Sequence, residues 1–230
     1  LSNPSSFVRR IRLQWWRESL DGIYAGTPRP HHVVLALADA VLAHRLDRDE
    51  FETLLDAREA DLADEPPADL DGLAAYAAGT AGSLTRLGLG VLGARDPVSL
   101  EAATEVGTAW AMTGLLRAVP FHVRAGRSYL PADLVREAGL VPSATAGPSV
   151  ALAGVVRTVA EAAEARLRAA RRVRWDVPRH ALPGLMTGVL AGAYLSQLRR
   201  AGWNPFDPRV AAPLPSRAWR LLLARLGGVY

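Results

Sequence analysis

Arg117 and Arg127 bracket a segment rich in chemical information. An apolar helical stretch runs into Arg117, and Arg127 follows ten positions later, just ahead of Tyr129-Leu130-Pro131. Two guanidiniums at that spacing form a frame for an anion, since each offers a planar fork of donors suited to phosphate oxygens. Between them stand Ala118, Pro120, Phe121 and His122. The segment thus presents cationic donors with no carboxylate to share a metal ion with the anion.

Carboxylates do cluster elsewhere. Glu52, Asp56 and Glu59 fall at i, i+4 and i+7 of one helical line, with Asp61 turned away. Such a line can share a divalent cation, because magnesium sites use one or two carboxylates plus substrate phosphates. It reads first, though, as a solvated acidic face with Arg58 interleaved. The five histidines, His31, His32, His44, His122 and His180, show no pair at ligand spacing on a helix, so a histidine-based metal site is not expected. No glycine-rich phosphate loop and no nucleophile elbow is present.

Small residues accumulate at 76–84 around Tyr76, with Gly79 and Gly82, and again at Gly107, Thr108, Ala109 and Gly114. Glycine costs about 1 kcal/mol in a helix relative to alanine. Two readings follow: a close helix crossing, or two helix walls beside a bulky ligand. On the second reading Tyr76, Gly79, Gly82, Thr113 and Tyr129 line the cavity. Trp15 and Trp16 exceed what a surface helix needs, so at least one should be buried. Arg17 and Asp21 stand at i, i+4, the spacing of a surface ion pair. Between Arg157 and Arg174 six arginines make a basic helix, read as a solvated face or as a contact for membrane phosphates or an acidic partner. No aromatic platform accompanies it, so no nucleic-acid partner is expected.

The elements that must position these residues are helical. Apolar residues recur at helical spacing nearly throughout, and β-branched alternation is scarce. Helices are expected from Ser5 or Ser6 to Ile23, Pro30 to His44, Asp47 or Asp49 to about Ala63, and Asp69 to Leu92-Gly93. Others run from Pro97 or Ser99 to about Val119-Pro120, after Pro131, from Ser149 to about Arg174, from Pro178 or Pro183 to Arg200, and from Ser216 to Leu226. VPSATAGPS (141–149) is the most linker-like stretch and reads as a helix–helix connection inside one all-α domain of eight to ten helices.

The bulk numbers agree with this outline. The chain has 230 residues, half of them hydrophobic and 22% charged, as in an ordinary globular protein. It has no cysteine, which excludes disulfides, thiolate zinc sites and cysteine nucleophiles. All 27 basic residues are arginine, and the net charge is +4. That arginine-only complement fits a coding bias as well as a preference for phosphate contacts. No apolar run reaches the ~20 residues that span a bilayer. The start, LSNPSSFVRR, has neither an initiator Met nor a signal-peptide core, so the chain is expected to begin inside a longer gene product.

Taken in order, WWRESLDGIYAG, LLDAREADL, YAAGTAGSLTRLGLGVLG and GTAWAMTGLLRAVPFHVRAGRSYLPADLVREAGL resemble the squalene/phytoene synthase family over almost the whole chain. The RSYLP element (127–131) is the most specific part. The resemblance implies the all-α isoprenoid synthase fold, a single-domain helical barrel around a deep apolar cavity, over residues 1–230. In the family's working enzymes two aspartate-rich motifs hold magnesium, which binds and ionises a prenyl diphosphate. The leaving diphosphate needs cations, and the carbocation needs a dry cavity.

Carried over position by position, the resemblance gives Arg117 and Arg127 the diphosphate contacts, Tyr76 the cavity tyrosine and Asp61 the aspartate of the mid-chain acidic helix. The second aspartate-rich motif is missing, because its acids fall on Ala118, Phe121 and His122, and the Gln and Asn that precede it fall on Ala111 and Gly114. The first motif is expected upstream of Leu1. Asp56, Glu59 and Asp61 remain as a residual acidic site on another helix, and no metal is assigned to them.

Within the family, AVPFH paired with RSYLP, the RLQWWRESLDGIY opening, and NPFDP ahead of Trp219 are similar to a non-synthase branch that contains an assembly factor for respiratory complex I. The composition suggests a bacterial relative. The implied protein is synthase-like without prenyl transfer, a scaffold or complex I assembly-type factor. It would have an isoprenoid or lipid ligand and a respiratory-complex partner. It would be cytoplasmic with peripheral contact at the inner membrane, or in the mitochondrial matrix if eukaryotic. The alternative is an active magnesium-dependent prenyl transferase joining two prenyl diphosphates head-to-head.

Overall fold

The computed structural model describes residues 4–63, 65–140 and 147–230, and within them the chain is helical with no strand. Thirteen α-helical segments occur among these residues. They are α1 (Pro4–Tyr24), α2 (His32–His44), α3 (Arg48–Glu59), α4 (Leu70–Ala77), α5 (Ser83–Val91), α6 (Pro97–Arg117) and α7 (Val119–Arg124). After these come α8 (Ala132–Glu137), α9 (Val150–Arg172), α10 (Leu182–Leu185), α11 (Thr187–Arg200), α12 (Pro208–Ala211) and α13 (Arg217–Gly227). The count exceeds the eight to ten expected. A π-helical turn, Ala78–Gly82, splits the helix expected from Asp69 to Leu92, and α7, α10 and α12 are short turns that periodicity does not register. Of the linker-like stretch 141–149, residues 141–146 lie outside the described residues.

Helix starts follow local chemistry. Asp47 accepts a hydrogen bond from the Asp49 amide at 3.1 Å, and Asp69 from Gly72 at 2.8 Å. Asp96 accepts from Ser99 at 2.9 Å with Pro97 at the first helical position, and Ser149 accepts from Leu152 at 3.1 Å. Each side chain satisfies an amide that has no partner within its helix. At the other end of α2, Arg45 closes the helix in the left-handed region at φ 47°.

α6 is the axis. Ten of its 21 residues are buried, and it packs against α4, α5, α9, α10 and α11. α9 lays Leu152, Val155, Val156, Val159, Ala163 and Leu167 along one buried stripe facing it. The crossing of α6 with the π turn is the tightest point. A Cβ on Gly107 would lie 2.5 Å from the Ala81 carbonyl oxygen and 2.7 Å from the Gly82 Cα. At Gly79 an added Cβ would meet that of Ala57 on α3 at 2.7 Å. Close helix crossing, one of the two readings of the small residues, is what the structure shows at both points.

A separate apolar cluster joins α1, α2 and α5 through Leu20, Ile23, Val34, Val41, Leu46 and Leu87, with Phe51 and Leu55 of α3 packed against it. Here two expectations need correction. Neither Trp15 nor Trp16 is fully buried; each is half-covered, with the rings edge to face at 5.0 Å and Trp15 also against His31. The Arg17–Asp21 pair does not form either. Arg17 reaches Asp56 and Glu59 on α3, each at 2.7 Å, while Asp21 pairs with Arg48 at 2.6 Å. A neighbouring helix supplies better-placed partners than the next turn of the same one.

The Gly107 crossing generates a test. Gly107→Ala forces a methyl group into backbone atoms that cannot rotate away, and should destabilise the protein by about 1–3 kcal/mol. Gly114, on the same helix with nothing within 4 Å of an added Cβ, should gain about 0.4–1 kcal/mol as Ala. Urea denaturation of the two variants beside the wild type measures both signs.

Candidate functional site

Asp61 gathers three of the sequence-identified residues, Tyr76, Arg127 and Tyr129, around itself. It lies in a single 3-10 turn, Ala60–Leu62, at the end of α3. Its Oδ1 accepts from the hydroxyls of Tyr76 on α4 at 2.9 Å and Tyr129 at 2.8 Å. Its Oδ2 accepts from Arg58 at 3.0 Å. Its backbone carbonyl accepts from Arg9 of α1 at 2.8 Å and from Arg127 at 2.9 Å, and Arg127 reaches on to the Ala63 carbonyl at 3.0 Å. Burial pushes the Tyr76 and Tyr129 hydroxyls above their ordinary range, so both stay protonated and act as donors.

His122 borders this network, its ring 4.7 Å from that of Tyr129. Burial, and next the nearby Arg127 charge, hold it below the ordinary histidine value, while Asp61 opposes them. Its Nδ1 is buried and has no hydrogen-bond partner among the described residues. Beside it lies a cavity of about 20 Å³ lined by His122, Arg127, Ser128, Tyr129 and apolar neighbours, room for one water molecule.

Arg117 faces elsewhere. Its guanidinium lies 3.6 Å over the Tyr194 ring of α11, and its Nε donates to the Val210 carbonyl of α12 at 3.2 Å. The structure therefore brings Arg127, Tyr76, Tyr129 and Asp61 together and puts Arg117 against the C-terminal helices. Thr113 is buried on α6 and donates to the Ala109 carbonyl at 2.7 Å. Gly79 abuts α3, and Gly82 lies against Thr104 of α6.

Magnesium, the ion the family resemblance implies, would need acids with free oxygens. Asp56 and Glu59 are both bound by Arg17, and the Asp61 carboxylate is filled by two hydroxyls and a guanidinium. Among the described residues no three His, Asp or Glu side chains group as metal ligands. The residues present do not fit the ion.

A larger cavity, about 580 Å³, opens between α1, α2 and α3. α1 and α3 run antiparallel, as the contacts Arg9–Asp61, Arg17–Asp56 and Arg48–Asp21 show. That arrangement puts Arg9, Arg12, Arg58 and Asp61 at one end of the cavity and Trp16, Leu20, Leu37 and Phe51 toward the other. From Arg9 to Leu20 the helix rises roughly 16 Å. Among the described residues that line this end, three guanidiniums stand beside one carboxylate. Sequence reasoning missed Arg9 and Arg12 here, and it read Arg58 only as an interruption of an acidic face. The i, i+3 spacing of Arg58 and Asp61 was a local signal, whereas the Arg9 contact spans 52 positions and leaves none.

The chain matches the squalene/phytoene synthase family model over residues 3–220. It is 30% identical over 200 residues to the NADH dehydrogenase (ubiquinone) complex I assembly factor 6 of Mus musculus, covering 86% of this chain and 60% of that protein. Over 175 residues it is 30% identical to a presqualene diphosphate synthase of Rhodopseudomonas palustris, covering 74% of this chain and 62% of the other. The chain thus spans about three-fifths of the length of these relatives. Among solved structures, squalene synthase HpnC from Alicyclobacillus acidocaldarius superposes with a TM-score of 0.76 at 22% identity, over 86% of this chain and 76% of that one. A dehydrosqualene synthase superposes with a TM-score of 0.79 at 19% identity, over 94% and 77%. These structures establish the isoprenoid synthase fold.

His122 yields a test through its pH dependence. A neutral histidine held below its ordinary value of 6.5 contributes stability that is complete above 6.5 and is lost as pH falls through the lowered value. Wild type should therefore lose stability on acidification below 6.5. The His122→Gln variant should lose less over the same window, as read by urea midpoints across a pH series.

Proposed function

The chain belongs to the squalene/phytoene synthase family, and on that premise we propose that it is a non-catalytic member that holds an amphiphile with an anionic head. It would serve as a scaffold or assembly factor for a respiratory NADH:quinone complex, as a peripheral protein at a membrane face. The observation that carries this reading is the state of the acids. The positions after Arg117 hold Ala118, Phe121 and His122, and the mid-chain carboxylates already bind arginines and tyrosines of the same chain. At these positions the charge of a leaving diphosphate would meet guanidiniums and no free carboxylate to share magnesium with it.

The ligand reading is supported by the α1–α3 cavity, whose cationic end suits a phosphate or diphosphate and whose apolar length suits a prenyl or acyl chain. Arg127 contributes indirectly by fixing the turn that carries Asp61. The assembly role is supported by similarity to complex I assembly factors, and a bacterial source by the arginine-only composition. The second reading, an active prenyl transferase, is supported by similarity to presqualene diphosphate synthase. It requires a metal site assembled outside the carboxylates described above.

Two measurements separate the readings. The full-length protein, incubated with farnesyl or geranylgeranyl diphosphate and magnesium, should release no pyrophosphate and form no coupled product; turnover would replace the first reading with the second. Farnesyl phosphate should nevertheless bind and quench tryptophan fluorescence, since Trp16 lines the cavity. Arg12→Gln should weaken that binding by about tenfold, as expected for loss of one charged hydrogen-bonding partner. Unchanged binding in this variant would remove the ligand from this cavity.

A further inference from the structure

α13 is amphipathic in an outward direction. Its sequence, RAWRLLLARLG, contains three arginines and no acid. At roughly 100° per residue, Trp219, Leu222, Leu223 and Leu226 fall within one arc about 100° wide. That arc faces solvent: the four residues are 65%, 47%, 66% and 70% exposed. Leu221 and Ala224, on the opposite side, are the better-covered residues, and α13 packs on α11. No residue of the helix is buried. Arg225 stands on one flank of the apolar arc and Arg220 on the other. Neither they nor Arg217 forms an ion pair among the described residues.

We propose that α13 is a membrane-docking helix, lying in the plane of an anionic bilayer surface with Trp219, Leu222, Leu223 and Leu226 inserted and Arg220 and Arg225 on lipid phosphates. A row of large apolar side chains flanked on both sides by cations matches the boundary between acyl chains and phosphates. The apolar arc carries no hydrogen-bonding group apart from the indole N–H, which suits the bilayer interface and gives a structured protein partner little to read. The helix is short, and none of the described helices is long and apolar enough to cross a membrane, so the contact is interfacial.

The helix is also held firmly enough to present this face. Just beyond it Tyr230 is 1% exposed. Its hydroxyl donates to the Ala170 carbonyl at 3.0 Å, and its own carbonyl accepts from Arg171 at 2.8 Å. These bonds fasten the end of α13 to the last turn of α9. A few residues past that anchor Trp175 is 75% exposed with the Arg174 guanidinium 4.6 Å over its ring, a second aromatic–cation unit of the same chemistry.

The inference rests on the peripheral location proposed above, and the test separates the two. Full-length protein is floated with vesicles of phosphatidylcholine alone or mixed with phosphatidylglycerol. Wild type should float with the mixed vesicles and lose binding as salt rises. Trp219→Ser combined with Leu223→Ser should weaken binding about tenfold or more, the effect of withdrawing two large apolar side chains. Arg220→Gln with Arg225→Gln, an independent variant that leaves the apolar face intact, should abolish the preference for the anionic lipid. Failure of wild type to float overturns both the location and the role of α13. Undiminished flotation of both variants overturns the role of α13 alone. Self-association without flotation, lost in the Trp219→Ser/Leu223→Ser variant, makes the face a protein interface and likewise overturns the proposal.

Discussion

One aspartate in a single helical turn at the end of α3 ties that helix to α1, to α4 and to the 127–129 segment. Asp61 offers three acceptor oxygens, and donors from α1, α3, α4 and the 127–129 segment take all of them. A partly buried carboxylate is costly to desolvate unless it is hydrogen-bonded, and here two hydroxyls and a guanidinium meet it. Its carbonyl, together with the Arg17 and Arg48 ion pairs, holds α1 along α3, and the cavity opens between them. The position of the 120s segment against α4 follows from the same contacts.

The same network gives the acids that read as metal ligands protein partners instead. A carboxylate binds magnesium when its lone pairs face an open, hydrated site. Asp61 spends its lone pairs on Tyr76, Tyr129 and Arg58, and Asp56 and Glu59 share Arg17. Among the described residues, three guanidiniums line one end of the otherwise largely apolar cavity between α1, α2 and α3. Arg117 lies apart from this network, stacking on Tyr194 and tying α6 to α11 and α12.

Small residues provide the second constraint. α6 is buried on nearly every side, so its neighbours must approach closely, and Gly107 lets the Ala81 carbonyl come within reach of its Cα. The π turn at Ala78–Gly82 sits at that contact. Tyr76, one turn earlier on α4, carries its hydroxyl to Asp61, so the tight crossing and the polar network position the same helix from two sides.

Much was legible in the residues alone. Helical periodicity, the capping residues Asp47, Asp69, Asp96 and Ser149, and the ordered motifs ending in RSYLP determined the helical class, most element boundaries and the family. These features are local, set by 3.6-residue spacing and by amides that need a nearby acceptor. Only the tertiary structure decided what the charged residues bind. Arg17 passes over Asp21 for Asp56 and Glu59, Arg9 crosses 52 positions to Asp61, and Arg117 and Arg127 turn to different ends of the molecule. The reason is physical: an arginine side chain is long, its donors fit any well-placed oxygen, and the choice among oxygens is made by helix packing.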